Sequence, residues 1–338
     1  MKQLILHTTG LLVFVLAQFV NAGEVVSAKN TVTGMWHVYA PTVYTYKGKK
    51  RMIMGGWIDK QAQDKKSDVL YYSELANGKW TNPADNPIPV PGYHVNDPSV
   101  IQPYPNNTDG RQNWLYMYYT ALNDKYVGND ILKYNHVHFA SSVDGGKSWT
   151  HHGAVIGQRN YYWGASRKYL DLGAWAPSAI KVGNEIHLYF HTNQHENYPV
   201  KTEIPVVLRL RFALDGHSRI RGAQRVYFPG NSGVNVDVSK QNGKYVLLLN
   251  KGLNTIHRYI GNNGLYFWKA SYDNDPLVNA GNNQVLTPHA VTTANNRYDL
   301  FFGWATEKNN TCTDWWVKAG FEDFRCSGSI SNWQMKNR

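Results

Sequence analysis

Charge is scarce in this 338-residue chain, with Asp, Glu, Lys and Arg together at 17%, against about 25% in an average globular protein. Cysteine is scarcer still. The two present, Cys312 and Cys326, lie close together near the C-terminus. Two thiolates make a weak metal site, and a disulfide between them is the expected use in an oxidising compartment. Beyond the first 22 residues nothing approaches 18 consecutive apolar residues, so no membrane insertion is expected. Gly-x-Ser-x-Gly, Gly-x-x-x-x-Gly-Lys-Ser/Thr and His-Glu-x-x-His are all missing, which removes the nucleophile elbow, the phosphate loop and the zinc-protease helix from consideration. A sustained 3.6-residue apolar period is missing as well, so the chain is not helical.

Aromatic residues are abundant, 14% of the chain, with Trp 12, Tyr 23 and Phe 11. Such a composition folds. The net charge of +11 is scattered along the sequence; nucleic-acid binding calls for a clustered basic face and is not expected, and solubility explains the excess. Residues 1–22 carry Lys2, the apolar run Leu11-Leu12-Val13-Phe14-Val15-Leu16 and the small-residue end Asn21-Ala22. That is the pattern of a secretory leader, and it predicts a secreted or periplasmic protein with one mature domain over residues 23–338.

Five copies of one phrase follow. Each has a small or acidic residue, usually with Pro after it, then an alternating strand, a Gly/Asn turn and a second strand rich in Tyr, Leu and Phe. The copies open at Ala40-Pro41, Asp97-Pro98, Ala176-Pro177, Asn235-Val236 and Thr287-Pro288. Third strands are expected at Val69–Ser73, Val137–Ser141, Val206–Phe212 and Trp315–Gly320. Four strands in each of five copies predict an all-β, five-bladed β-propeller, with Glu24–Val32 closing the last blade; a two-sheet sandwich is the competing arrangement. Ser142-Val143-Asp144-Gly145-Gly146-Lys147-Ser148-Trp149 fits the Asp-box turn, in which the Asp caps the turn and has a structural role.

In a propeller the first residues of the innermost strands converge at one mouth of the central channel. The second and third copies there read Tyr93-His94-Val95-Asn96-Asp97-Pro98-Ser99 and Trp175-Ala176-Pro177-Ser178. They resemble the opening blades of the five-bladed, family-43-like glycoside hydrolases: arabinanases, β-xylosidases and α-arabinofuranosidases, with invertases more distant. The resemblance spans all five repeats in pattern and these two blades in motif. It implies that Asp97 is the general base of an inverting enzyme, or the nucleophile of a retaining one. It also implies a glycan ligand and, as the one cofactor it leaves room for, a structural calcium ion in the channel.

Glycoside hydrolysis needs two carboxylates, and here the pattern departs from the family. With Asp97 as the base, the expected acid position is Leu286; with Ala40 opening the first blade, the base itself is lost. Asp171, Asp237, Glu196 and Glu307 remain candidates for the acid, and spacing does not choose among them. Trp36, His37, Tyr39, His94, Asn96, Trp175, Asn235 and His289 lie near the predicted mouth. Aromatic rings there would stack on sugars, and the polar groups would meet hydroxyls. His187, His191 and His195 recur every four residues, but packed strand histidines explain them better than a metal does.

Two functions follow. One is a secreted glycoside-hydrolase-like propeller acting on a poly- or oligosaccharide at the channel mouth. The other is a non-catalytic glycan-binding or envelope-scaffold propeller that has lost its general acid. A sialidase-like enzyme would need an arginine triad, which is not evident.

Overall fold

A computed structural model describes residues 24–57, 68–83, 86–92, 94–106, 108–122, 135–157, 173–196, 202–231, 233–252, 254–269, 276–281, 284–293, 297–305 and 327–336. The first strands are β1 (Glu24–Tyr46), β2 (Lys49–Trp57), β3 (Val69–Ala76), β4 (Lys79–Trp80) and β5 (Pro87–Ile88). The second repeat supplies β6 (His94–Ile101), β7 (Leu115–Leu122), β8 (Asn135–Ser142) and β9 (Thr150–Ile156). The third supplies β10 (Trp175–Val182), β11 (Glu185–Glu196), β12 (Thr202–Ala213) and β13 (Arg219–Arg225). From the fourth come β14 (Val234–Gln241), β15 (Lys244–Asn250), β16 (Thr255–Gly261), β17 (Phe267–Trp268) and β18 (Val278–Asn279), and β19 (Gln284–Thr293), β20 (Arg297–Ala305) and β21 (Ser327–Lys336) end the chain.

Consecutive strands pair antiparallel in a β-propeller arrangement. They make four hydrogen-bonded sheets rather than the five expected: β6 to β9, β10 to β13, β14 to β18, and one of eight strands. The difference arises in β1. Its 23 residues serve two partners, Glu24–Trp36 pairing with β21 and Trp36–Tyr46 with β2, so that the first and last repeats are continuous. The strand expected to close the last repeat therefore does so without a break. The third strand of that repeat is β21; the expected Trp315–Gly320 lies outside the described residues.

Alternation of apolar residues decides where the core forms, because each sheet has to bury both faces against its neighbours. Tyr116, Tyr118 and Phe139 of one sheet pack on Leu188, Phe190, Leu208 and Phe212 of the next. Comparable clusters join β15 and β16 to β19 and β20, and β1 to β3 to β6 and β7. Burial of each Leu or Phe side chain contributes about 1.5–3 kcal/mol, so the inter-sheet seams hold most of the stability.

At the face opposite the mouth, the turns between third and fourth strands are latched to the preceding sheet. The Tyr44, Tyr118 and Tyr189 hydroxyls donate to the carbonyls of Gly145, Gly216 and Gly264 at 3.1, 2.8 and 3.0 Å. In the Ser142–Trp149 turn the Asp144 carboxylate accepts from the backbone N–H of Lys147 and Ser148 at 3.0 and 3.1 Å. Gly145 has φ 81, and a Cβ there would lie 2.5 Å from the Tyr46 ring, so glycine suits both the backbone and the close approach of the two sheets.

At the mouth the inner strands are tied side chain to backbone. Thr42 Oγ1 accepts from Val100 N–H, Ser99 Oγ from Ala179 N–H, Ser178 Oγ from Val238 N–H, and Asp237 Oδ2 from Ala290 N–H, at 3.1, 2.9, 2.8 and 3.0 Å. His289 closes the circle, its Nε2 donating to the Val43 carbonyl at 3.1 Å. Each of these side chains stands two residues after the residue that opens its repeat. Ser178→Ala should strand the buried Val238 N–H and lower stability by about 1–3 kcal/mol. Urea unfolding that leaves both midpoint and slope unchanged would contradict this role for Ser178.

Candidate functional site

Five equivalent residues open the inner strands, and all five have left-handed backbone: Ala40, Asp97, Ala176, Asn235 and Thr287, with φ 51, 47, 49, 56 and 48. Each coincides with a register shift in its inner pairing, between Tyr39 and Thr42, Asn96 and Ser99, Trp175 and Ser178, Val234 and Asp237, and Leu286 and His289. The bulge turns the strand from the mouth down into the sheet and aims one residue per repeat at the axis. Left-handed backbone at a β-branched residue such as Thr287 is a true outlier, and strain of this kind collects at functional sites, about 1–3 kcal/mol per residue. The five residues and those that follow them line an open cavity on the axis with about 30 Å³ accessible to water.

Asp97 is the one carboxylate among the five. Burial, then the charge of Asp68, pushes its pKa from 3.8 up to about 7, against the opposing hydrogen bonds of Thr120 and Ala176. The Thr120 hydroxyl lies 3.4 Å from Asp97 Oδ2 and accepts from Ala176 N–H at 2.9 Å, so it couples the carboxylate to the next repeat. Asp68, just before β3, is 2% exposed. The Tyr39 hydroxyl donates a hydrogen bond to its Oδ2. Asn96 Nδ2 donates to the Tyr39 oxygen at 2.8 Å, and His94 Nδ1 accepts from Asp68 N–H at 3.1 Å. Burial and the charges of Asp68 and Asp97 hold the Tyr39 phenol far above its ordinary range, so it remains a donor. Asp68 Oδ1 and Asn96 Oδ1 are buried with no hydrogen-bond partner among the described residues, a situation that ordinarily calls for a donor from solvent or ligand.

Behind the opening residues, side chains on the paired strands hold the mouth backbone. His191 Nε2 accepts from Val236 N–H at 3.0 Å and Asn250 Oδ1 from Thr287 N–H at 3.0 Å, the places that Thr120 fills for Ala176. Burial pushes His191 down to about 3, so it is a neutral acceptor. In the first repeat this place is Gly55, where a Cβ would lie 3.5 Å from Asn96 Cβ. Glycine there supplies no capping side chain beside Asp97.

Several residues expected to meet ligand are packed into the scaffold around the mouth. Tyr39, His94, Asn96, Trp175 and Asn235 are all buried. Trp175 stacks on His191 with ring centroids 6.4 Å apart, and Asn235 Nδ2 lies 3.5 Å from Asn250 Oδ1. Asp237, a candidate acid, accepts from Ala290 N–H at 3.0 Å and His289 Nδ1 at 3.1 Å, with Ser178 Oγ at 3.4 Å. Its carboxylate is an internal tie. Asp171 and Glu307 lie outside the described residues, as do Tyr93, Cys312 and Cys326; the side chains of Trp36, His37, His195 and Glu196 do also. Asp68 escaped the sequence analysis because it lies outside the repeated phrase and only tertiary contact carries it to Asp97. Calcium requires six to eight oxygen ligands. Asp237 already accepts from three donors and His289 presents N–H on both sides, and among the described residues no group of three or more His, Cys, Asp or Glu converges to hold a metal.

No family model and no curated protein matches the sequence. Solved structures do resemble it. A family-43 β-xylosidase/α-arabinofuranosidase from a compost microbial metagenome, solved with xylotriose, superposes with a TM-score of 0.56 at 11% identity, covering 92% of this chain and 94% of that one. The α-L-arabinofuranosidase of Podospora anserina, solved with cellotriose, gives 0.58 at 12% identity over 91% and 95%. A thermostable family-43 glycoside hydrolase gives 0.58 at 12% over 92% and 94%. The fold is that of the family-43-like propeller glycoside hydrolases.

Two titrations test this geometry. Asp68→Asn removes the like charge but not the burial, so the Asp97 midpoint should fall from about 7 toward the ordinary carboxylate range. Carbon-13 NMR of labelled aspartates reads it, and an unmoved midpoint would assign the whole shift to burial. Burial lowers His289, but the Asp237 charge and hydrogen bond and the Val43 carbonyl outweigh it and raise its pKa above 6.5. The folded value exceeds the unfolded one, so the stabilisation is complete below about pH 6.5 and is lost as pH rises through the folded value. Thermal melts of wild type and His289→Gln should therefore differ most on the acid side of neutrality and converge in alkali.

Proposed function

We propose that this protein is a glycoside-hydrolase-like propeller that engages a poly- or oligosaccharide at the channel mouth, with Asp97 as its central ionisable group. In this reading the eight-stranded sheet is two blades sharing β1, which makes the propeller five-bladed and lets the strand that begins near Glu24 close it. The observation that carries the proposal is Asp97 itself: a carboxylate on a strained mouth residue, poised near neutrality, beside a second buried carboxylate. A group with pKa about 7 can accept or deliver a proton at physiological pH, the property general acid–base catalysis requires. In hydrolysis its ionised form would activate water or attack the anomeric carbon, and a second carboxyl group would protonate the leaving oxygen. Asp171, Glu196 and Glu307 are the candidates for that second group. The leader at residues 1–22 would export the protein, and Cys312 and Cys326 would then pair.

One observation favours a second reading, a glycan-binding propeller without turnover. Four of the five mouth positions hold Ala40, Ala176, Asn235 and Thr287, and the nearby Asp237 is sequestered by three donors. Aryl arabinofuranosides, aryl xylosides and a panel of plant and bacterial polysaccharides separate the readings when released sugar and binding are both recorded. Hydrolysis by the wild type that is lost in Asp97→Asn, with an unchanged melting temperature, is the expected result. Turnover that survives Asp97→Asn would remove Asp97 from the chemistry, and binding without release would establish the second reading.

A further inference from the structure

Six large apolar side chains are exposed among the described residues, and three of them, Tyr227, Tyr266 and Trp268, belong to one stretch of surface on the outer edge of the fourth repeat. Tyr227 and Tyr266 lie parallel, with ring centroids 5.2 Å apart and 6° between planes. Tyr266 is 56% exposed and Trp268 40%. Strand alternation turns the intervening Phe267 into the core, where it is 5% exposed, and leaves Tyr266 and Trp268 facing out on the same side.

The two tyrosines are fixed in place. Tyr227 N–H donates to the Leu265 carbonyl at 2.7 Å, and Phe267 N–H donates to the Tyr227 carbonyl at 2.8 Å. Asn263 Oδ1 accepts from both Leu265 and Tyr266 N–H at 3.0 Å, and the Tyr189 hydroxyl pins the adjoining Gly264 from the neighbouring sheet. A rigid platform loses little entropy when a ligand settles on it. Its flank is cationic. The edge strand β13 leads directly into Tyr227 and reads Arg-Ile-Arg-Gly-Ala-Gln-Arg, with three arginines and no acid. Arg225 lies over the Tyr227 ring at 5.5 Å, and Arg221 is exposed.

From this arrangement we infer a second ligand site on the flank of the propeller, where the faces of Tyr266 and Trp268 take sugar rings and Arg221 and Arg225 take the carboxylates of an acidic polysaccharide. Flat aromatic faces fixed in solvent suit the C–H faces of pyranose rings, and guanidinium forks suit carboxylates. The site does not use the channel mouth, and it would tether a long acidic chain whatever happens at Asp97.

Native affinity electrophoresis in gels containing polygalacturonate, with its methyl-esterified form as the uncharged control, tests the inference on the full mature chain. The wild type should be retarded by polygalacturonate and much less by the ester. Tyr266→Ala combined with Trp268→Ala should weaken that binding about tenfold or more, and so should Arg221→Gln combined with Arg225→Gln, each at an unchanged melting temperature. Asp97→Asn should be retarded like the wild type, which separates this site from the mouth, and hydrolysis of small aryl glycosides should be the same in the wild type and the Tyr266/Trp268 variant. Absence of retardation, equal retardation of wild type and the aromatic variant, or equal retardation by the ester would overturn the inference. Loss of retardation in Asp97→Asn alone would transfer the binding to the mouth and overturn it as well.

Discussion

Everything at the mouth depends on the circle of side chain to backbone hydrogen bonds that runs through Thr42, Ser99, Ser178, Asp237 and His289. Inner strands at the axis of a propeller do not pair with one another; their mouth-facing N–H groups would be buried without partners unless side chains supplied them. The circle satisfies them and fixes the spacing between repeats at the same time. Its last link differs from the others. A hydroxyl cannot equal the charge-assisted contact between His289 and Asp237, and His289 itself occupies the junction where the chain's last repeat meets the first, through the Val43 carbonyl.

Once that circle is closed, the residue two positions earlier in each repeat has little freedom. It takes left-handed backbone and directs its side chain at the axis. Four of those side chains are uncharged, and Asp97 is the one carboxylate among the five opening residues, its pKa set by its surroundings. The Asp68, Tyr39, Asn96 and His94 cluster lies against it on one side, and Gly55 supplies no cap there. The local order of the site thus follows from the scaffold, while its asymmetry comes from a few substitutions in one repeat.

The repeated openings, the alternating strands and the terminal strand that completes the last repeat were all legible in the sequence, because inner-strand periodicity and turn residues are local properties. The position of Asp97 at the mouth was legible for the same reason. Other residues near the mouth were not. Tyr39, His94, Asn96 and Trp175 stand next to the opening residues, and their burial beside the bulges comes from tertiary packing that no local pattern shows. Asp237 looked like a spare acid. Its offset of two residues from Asn235 is the offset at which every repeat carries its inter-strand tie.

By itself the sequence determined the all-β class, the five openings and a carboxylate at one of them, since each rests on residues close together in the chain. Only the tertiary structure decided that β1 would be shared between two repeats, that Asp68 would come to lie against Asp97, and that Tyr227 and Tyr266 would stack on the outer edge. These depend on contacts between segments brought together by ring closure. The energies that select them are differences in burial and hydrogen bonding across sheets, to which no local pattern responds.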